Sequence, residues 1–189
     1  MRIIAGEARG RTLQAPKGMD TRPTQDYIRE SLFNILRLQV EQAQVLDLFA
    51  GSGALALEAI SRGAAHAVLV DMAPAAIACI QKNVETLRYQ EQTTVLRADW
   101  RMALDRLAAS EQRFSLVFLD PPYRMTDTDA VCERLAACGL LLPGALVVVE
   151  HRRGVEAPPG QAFTKKDARL YGDTQIDFWI YNGGETVDA

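Results

Sequence analysis

From Val45 onward, short apolar runs alternate with segments of helix length, and that alternation restricts the chain to strands joined by crossover helices in a parallel sheet. The runs are Val45–Phe49, Ala67–Asp71, Thr93–Arg97, Phe114–Leu119 and Ala145–Glu150. Between the second and third, Ile77, Ile80, Val84 and Leu87 recur at helical spacing behind Pro74, a residue suited to a first helical turn. Two further runs, Phe163–Tyr171 and Thr174–Tyr181, are parted only by Gly172 and Asp173. That leaves no room for a helix, so they form a hairpin and the sheet closes antiparallel. The expectation is an α/β fold with a mostly parallel seven-stranded sheet and helices on both faces.

Ahead of the first strand, Arg2 to Ala15 carries Gly6 and Gly10 among short apolar and basic residues, the makings of an irregular hairpin. Thr24 is placed to cap a helix whose apolar face is Ile28, Leu32, Ile35 and Leu36. Residues 1–40 are therefore expected to form an appendage on a main domain of 41–189, a division that suits 189 residues. The net charge of −3 is unevenly spread. Up to Val40 seven Arg or Lys face four Asp or Glu, which is +3 and leaves −6 for the rest. Mixed charges usually only solvate a surface, and charge alone favours that reading.

The chain has no run of eighteen apolar residues and opens on no cationic stretch leading into an apolar run, so a cytoplasmic protein with no membrane contact is expected. Cys79, Cys132 and Cys138 are odd in number and widely spaced, arguing against both a disulfide framework and a metal site. They read as small apolar residues of a reducing compartment. His66 and His151 lack a partner pattern and read as structural or surface residues. Trp179 and Tyr181 alternate with Phe178 and Ile180, as core packing requires, and Arg152, Arg153, Lys165 and Lys166 read as solvated loop charges.

Chemistry first enters with Asp47-Leu48-Phe49-Ala50-Gly51-Ser52-Gly53, a strand running into a glycine turn that opens a helix. Glycines allow close backbone approach and positive φ, and a helix start offers free N–H groups to an anionic ligand end. The match to the dinucleotide fingerprint is loose, because Ala56 stands where its third glycine would be, and an ordinary strand-to-helix turn also explains the loop. Asp71 ends the second strand twenty residues after Gly51, where a carboxylate can accept from both ribose hydroxyls of NAD or S-adenosylmethionine alike. Asp47 separates the two, since an acid inside the first strand favours a cationic cofactor such as a sulfonium with an amino-acid tail. Asp99 can accept from an adenine amino group, cap the helix from Trp100, or do both. With Phe49, Met72 and Trp100 beside them, these residues make up the expected cofactor site.

Asp120-Pro121-Pro122-Tyr123 follows the fourth strand. A base amino nitrogen is a poor nucleophile because its lone pair is delocalised, so a site that alkylates it must aim acceptors at its hydrogens. Asp120 supplies one acceptor and a diproline carbonyl another, because prolines fix the backbone and bring no competing N–H. Tyr123 can stack on the base. In isolation the tetrapeptide only makes a loop; at the carboxyl end of a strand beside the glycine loop, coincidence is improbable.

These residues resemble class I methyltransferases that modify amino groups, whose motif is Asp, Asn or Ser followed by Pro-Pro and an aromatic. Arg2-Ile3-Ile4-Ala5-Gly6, Arg9-Gly10-Arg11, Arg22-Pro23-Thr24 and Arg29-Glu30-Ser31-Leu32-Phe33-Asn34, with the two motifs above, narrow this to a resemblance to the RsmD family over nearly the whole chain. The resemblance implies a Rossmann-like fold, S-adenosylmethionine as cofactor, and methylation of a guanine N2 amino group in bacterial small-subunit ribosomal RNA, either naked or within an assembly particle. It further implies that Arg2, Arg9, Arg11, Arg22, Thr24 and Arg29 serve RNA binding, with Arg2, Arg9, Arg11 and Arg22 forming a basic surface beside the Asp120 crevice. The family's commoner aromatic is phenylalanine where this chain has Tyr123; either ring can stack. Adenine N6 or a protein glutamine would use the same chemistry. A nicotinamide-dependent oxidoreductase would leave Asp120 to Tyr123 unexplained, and a non-catalytic RNA-binding module would need none of the cofactor acids.

Overall fold

The computed structural model describes residues 1–16, 23–122, 125, 128–155 and 159–183, and for 23–25 the backbone alone. Seven strands form one sheet: β1 (Gln44–Asp47), β2 (His66–Asp71), β3 (Thr93–Arg97), β4 (Phe114–Leu119), β5 (Leu141–Arg152), β6 (Phe163–Tyr171) and β7 (Thr174–Tyr181). Their spatial order is β3-β2-β1-β4-β5-β7-β6. The first five run parallel; β7 is antiparallel to both neighbours and joins β6 through the two-residue turn at Gly172-Asp173.

The apolar runs lack polar alternation because both sheet faces are covered. Successive residues divide between two cores. Val45, Leu69, Phe118 and Val148 face one of them, with α1 (Pro23–Ile35), α3 (Ala54–Ser61) and α4 (Pro74–Leu87). Leu46, Val70, Leu119 and Val149 face the other, with α5 (Trp100–Ala109) and α6 (Thr128–Ala137). The short α2 (Arg37–Val40) leads into β1.

Element boundaries differ from expectation in three places. β1 stops at Asp47 and not Phe49, because Ala50 N–H turns to bond the Val70 carbonyl at 2.9 Å and carries the backbone into the glycine loop. β5 begins at Leu141, upstream of Ala145, and takes in Pro143 at an irregularity in its pairing with β4, where proline's missing N–H is tolerated. α1 starts at Pro23, so Thr24 stands inside the first turn and not at the cap position.

The N-terminal segment is an irregular hairpin closed by an Arg2–Thr12 bridge. Ile3, Ala8 and Leu13 enter the same core as α1 and α3, and a side chain buried this way contributes about 1.5–3 kcal/mol when large. Polar ties fix its place. The fully buried Glu58 carboxylate accepts from Ile4 N (2.8 Å), Ala5 N (3.0 Å) and Arg62 Nε (2.7 Å). Ser61 Oγ accepts from Ala8 N at 3.0 Å and donates to Ala5 O at 2.7 Å. The approach is close enough to require glycine at position 6, where φ is +83° and a Cβ would lie 1.7 Å from the Ser61 carbonyl oxygen. Further along, buried Asn83 accepts from Gln14 N (2.8 Å) and donates to Gln14 O (3.0 Å) and Ser52 O (2.9 Å). The strand thus returns toward the glycine loop.

Candidate active site

At the carboxyl ends of β2, β1, β4 and β5 lies a crevice of about 810 Å³. Ligands of open α/β sheets bind at such a place, where the strand order reverses. Here the reversal falls between β1 and β4, whose neighbours are β2 and β5.

The glycine loop forms one wall. Gly51 has φ +55° and donates its N–H to Asp71 Oδ2 at 2.9 Å; Asp71 Oδ1 accepts from Ala73 N at 2.8 Å. Asp71 thus braces the loop and retains lone pairs for ligand hydroxyls, since a carboxylate has about four acceptor sites. Gly53, at φ +79°, caps α3 away from the crevice wall, where a Cβ would stand 2.9 Å from Leu69 Cδ2. Asp99 does cap α5, its Oδ1 accepting from Arg101 N at 2.9 Å, and it also lines the crevice, so both expected roles remain open to it. Trp100 is nearly buried in the wall, with the Arg101 guanidinium over its ring at 4.3 Å. Phe49 and the exposed Met72 complete this half.

Asp47 lies just behind the wall, 1% exposed, with the backbone N–H groups of Ala56 and Phe49 near its carboxylate but neither in good hydrogen-bonding geometry. Loss of hydration pushes its carboxyl up to about 8, with the Asp120 and Asp71 charges acting the same way and backbone N–H groups at Ala56 and Phe49 opposing. Such a group calls for a cation.

The other half is the Asp120-Pro121-Pro122 loop, on which the Pro122 carbonyl accepts from Met125 N at 2.8 Å. Asp120 opens onto the crevice, but protein closes around it enough for lost hydration to push its carboxyl up to about 6. The sequence reading missed Glu150. It lines the crevice from β5, and burial, followed by the charge of Asp120, pushes its carboxyl up to about 8. The pairing Leu119↔Val149 sets Asp120 and Glu150 side by side, one residue further on. Pro16, at the end of the N-terminal hairpin, and Met125 also line the crevice and were missed.

Of the residues expected to bind RNA, Arg22 lies outside the described residues, as does Tyr123 of the acceptor motif, and no contact of Thr24 is described. Arg29 is 5% exposed and directed inward, onto the Arg2 carbonyl, Asp26 and, at 3.9 Å, Glu58. It is a structural cation. Arg2, Arg9 and Arg11 are exposed, but the expected place beside the crevice is corrected for Arg11. Arg11 bonds the Thr86 carbonyl at 3.0 Å, near the far end of α4, twelve residues or roughly 18 Å from the Pro74 end that borders the crevice. The histidines are structural: His66 Nε2 meets Thr94 Oγ1 at 2.9 Å, and His151 Nε2 meets Asp177 Oδ2 at 3.1 Å. Among the described residues no cluster of potential metal ligands occurs and no helix is long and apolar enough to cross a membrane.

The family model described as "Conserved hypothetical protein 95" matches residues 1–180. Ribosomal RNA small subunit methyltransferase D of Escherichia coli K12 is 41% identical over 150 residues, which are 79% of this chain and 74% of that protein. The chain belongs to the RsmD family. Membership extends to both ends: YlbH of Bacillus subtilis is 40% identical over 186 residues, 97% of this chain and all of that protein. The solved structure of Escherichia coli yhhF superposes with a TM-score of 0.85 at 32% identity, covering 97% of this chain and 99% of that one. RsmD-family membership thus accounts for the N-terminal hairpin as well as the sheet.

Proposed function

We propose that this chain methylates the exocyclic N2 amino group of a guanine in small-subunit ribosomal RNA, using S-adenosylmethionine. The observation that carries the reading is a single crevice in which the glycine loop and its acids face Asp120-Pro121-Pro122 across adjacent strands. Family membership supports the ribosomal RNA substrate through relatives named as small-subunit methyltransferases.

The residues fit that cofactor. Asp71, Asp99, Asp120 and Glu150 line the crevice with Asp47 behind, against Arg101 alone among the described basic residues. A dinucleotide pyrophosphate would meet repulsion there, and the Gly51 N–H that would hold it is already taken by Asp71. A sulfonium and an ammonium would relieve the unpaired charge at Asp47. When bound, the cofactor supplies an electrophilic methyl group.

The ionised Asp120 carboxylate accepts one amino hydrogen and fixes the direction of the nitrogen lone pair. The Pro121 carbonyl is the natural second acceptor, because that of Pro122 is engaged by Met125. Positioning then dominates the rate, and the cationic product loses its proton readily without a strong base. Tyr123 stacks on the base, so Tyr123→Phe retains activity and Tyr123→Ala loses it. Arg2, Arg9 and Arg11 contact phosphates of the flanking RNA, at a distance from the reacting base. The test is mass mapping of methylated nucleosides in small-subunit RNA from a deletion strain, supplied as naked RNA and as assembly particles to the purified enzyme. Restoration of N2-methylguanosine supports the reading; its presence in the deletion strain overturns it.

A further inference from the structure

Glu150 is a crevice carboxylate to which the chemistry above gives no task. It sits on β5 beside Asp120, and it lies on the side away from β1 and the cofactor acids. Adjacent strands are about 4.8 Å apart, so a base whose amino nitrogen meets Asp120 and faces the cofactor extends its ring toward Glu150. A base drawn into a pocket leads with its Watson–Crick edge and keeps its sugar edge outside. The ring position next to the amino group on the leading edge of guanine is N1–H, a donor. In adenine the atom beside the amino group is a bare acceptor.

We propose that Glu150 is the specificity-determining residue of the acceptor pocket and accepts the guanine N1–H while Asp120 accepts from N2. The proposal rests on the guanine reading above and deepens it. Two neighbouring carboxylates match two neighbouring donors, whereas the lone pair of an adenine N1 offers the ionised Glu150 no donor and could be met only by its protonated form. Glu150 is poorly hydrated and has no described hydrogen-bond donor on its carboxylate, which leaves it ready for one from the substrate. A hydrogen bond to its ionised form lowers its pKa, so guanine binding favours the charged state that reads it.

The probe is 2-aminopurine, which keeps the amino group at position 2 but has a lone pair at N1. Small-subunit RNA is prepared with guanine or 2-aminopurine at the modified position, in whichever form, naked or assembled, the wild-type enzyme methylates. Wild type is expected to prefer guanine in kcat/KM by roughly 10- to 100-fold, the usual worth of a paired base contact. Glu150→Gln, whose amide can donate to a bare N1, is expected to bring that ratio to near unity with cofactor binding unchanged. Wild type methylating both RNAs equally overturns the proposal without any variant. So does Glu150→Gln keeping the wild-type ratio, which a merely structural glutamate would give. Absence of methylation at guanine N2 in every form would instead overturn the functional reading.

Discussion

Two acidic regions of this molecule are built on opposite terms. Where the N-terminal hairpin meets α3, the fully buried Glu58 receives two backbone N–H groups and Arg62, with Arg29 3.9 Å away. At the carboxyl ends of β1, β4 and β5, Asp47, Asp120 and Glu150 lie near one another, and desolvation raises all three. The first arrangement stabilises because each charge has an opposite charge beside it, even though Arg29 Nε itself makes no hydrogen bond. The second gathers carboxyls that burial, and at Asp47 and Glu150 the neighbouring acids as well, drives toward the neutral form, and perturbed acids in a cleft mark a functional site.

The largest effect should come from breaking the satisfied region. Glu58→Ala leaves Arg29 buried with Asp26 as its one remaining carboxylate and releases the Ile4 and Ala5 N–H groups, so unfolding in urea should show a loss of about 3–5 kcal/mol. A loss under 1 kcal/mol would mean that the hairpin is not held this way. In the unsatisfied region Asp120→Ala should lower kcat/KM by about 100- to 1000-fold, the scale for one positioned electrostatic partner, with cofactor affinity changed only a few-fold by calorimetry. Near-normal turnover would remove Asp120 from the mechanism.

Asp47 sharpens the contrast, because one substitution should move stability and binding in opposite directions. Its folded pKa of about 8 lies above the ordinary 3.8, so the folded state binds the extra proton and stability falls as pH rises between those values. Asp47→Asn should flatten that fall, leaving the ligand-free protein about 1–3 kcal/mol more stable at pH 8, while weakening S-adenosylmethionine binding by a similar amount. In wild type a cationic ligand favours the ionised carboxylate. Its affinity should therefore rise with pH toward about 8, with proton release seen as buffer-dependent heat. Affinity that is flat over this range would show that Asp47 does not feel the ligand.

The same contrast explains what could be read from the sequence. The glycine loop, Asp71, Asp99 and Asp120 were legible because each belongs to a contiguous motif placed at a strand end by apolar periodicity. Glu150 was not, because it closes the apolar run Ala145–Glu150 as an ordinary polar terminus and meets Asp120 only through the β4–β5 register. Arg29 misled for the converse reason. The family resemblance implied a role in RNA binding, and the partners that bury it, the Arg2 carbonyl and Glu58, come from separate elements. Strand identity is local information; which charges find partners is not.

The smallest expected effect concerns Arg9 and Arg11, and it tests whether the hairpin does more than brace the fold. Both are exposed, and Arg11 is tied to the far end of α4 by Thr86. Arg11 stands far from the base in the crevice, but a folded RNA extends well beyond one nucleotide, and the body of the protein carries −6 after Val40. Something cationic has to offset that repulsion, and phosphate contacts do so without reading sequence. Replacing both by alanine should weaken RNA binding and flatten its dependence on log salt concentration by roughly 0.7–0.9 per lost contact. Cofactor affinity, turnover at saturating RNA and the guanine preference should all stay as in the parent. If the salt slope is unchanged, these arginines only solvate the hairpin, and the repulsion between RNA and the acidic body is offset by basic groups elsewhere on the surface.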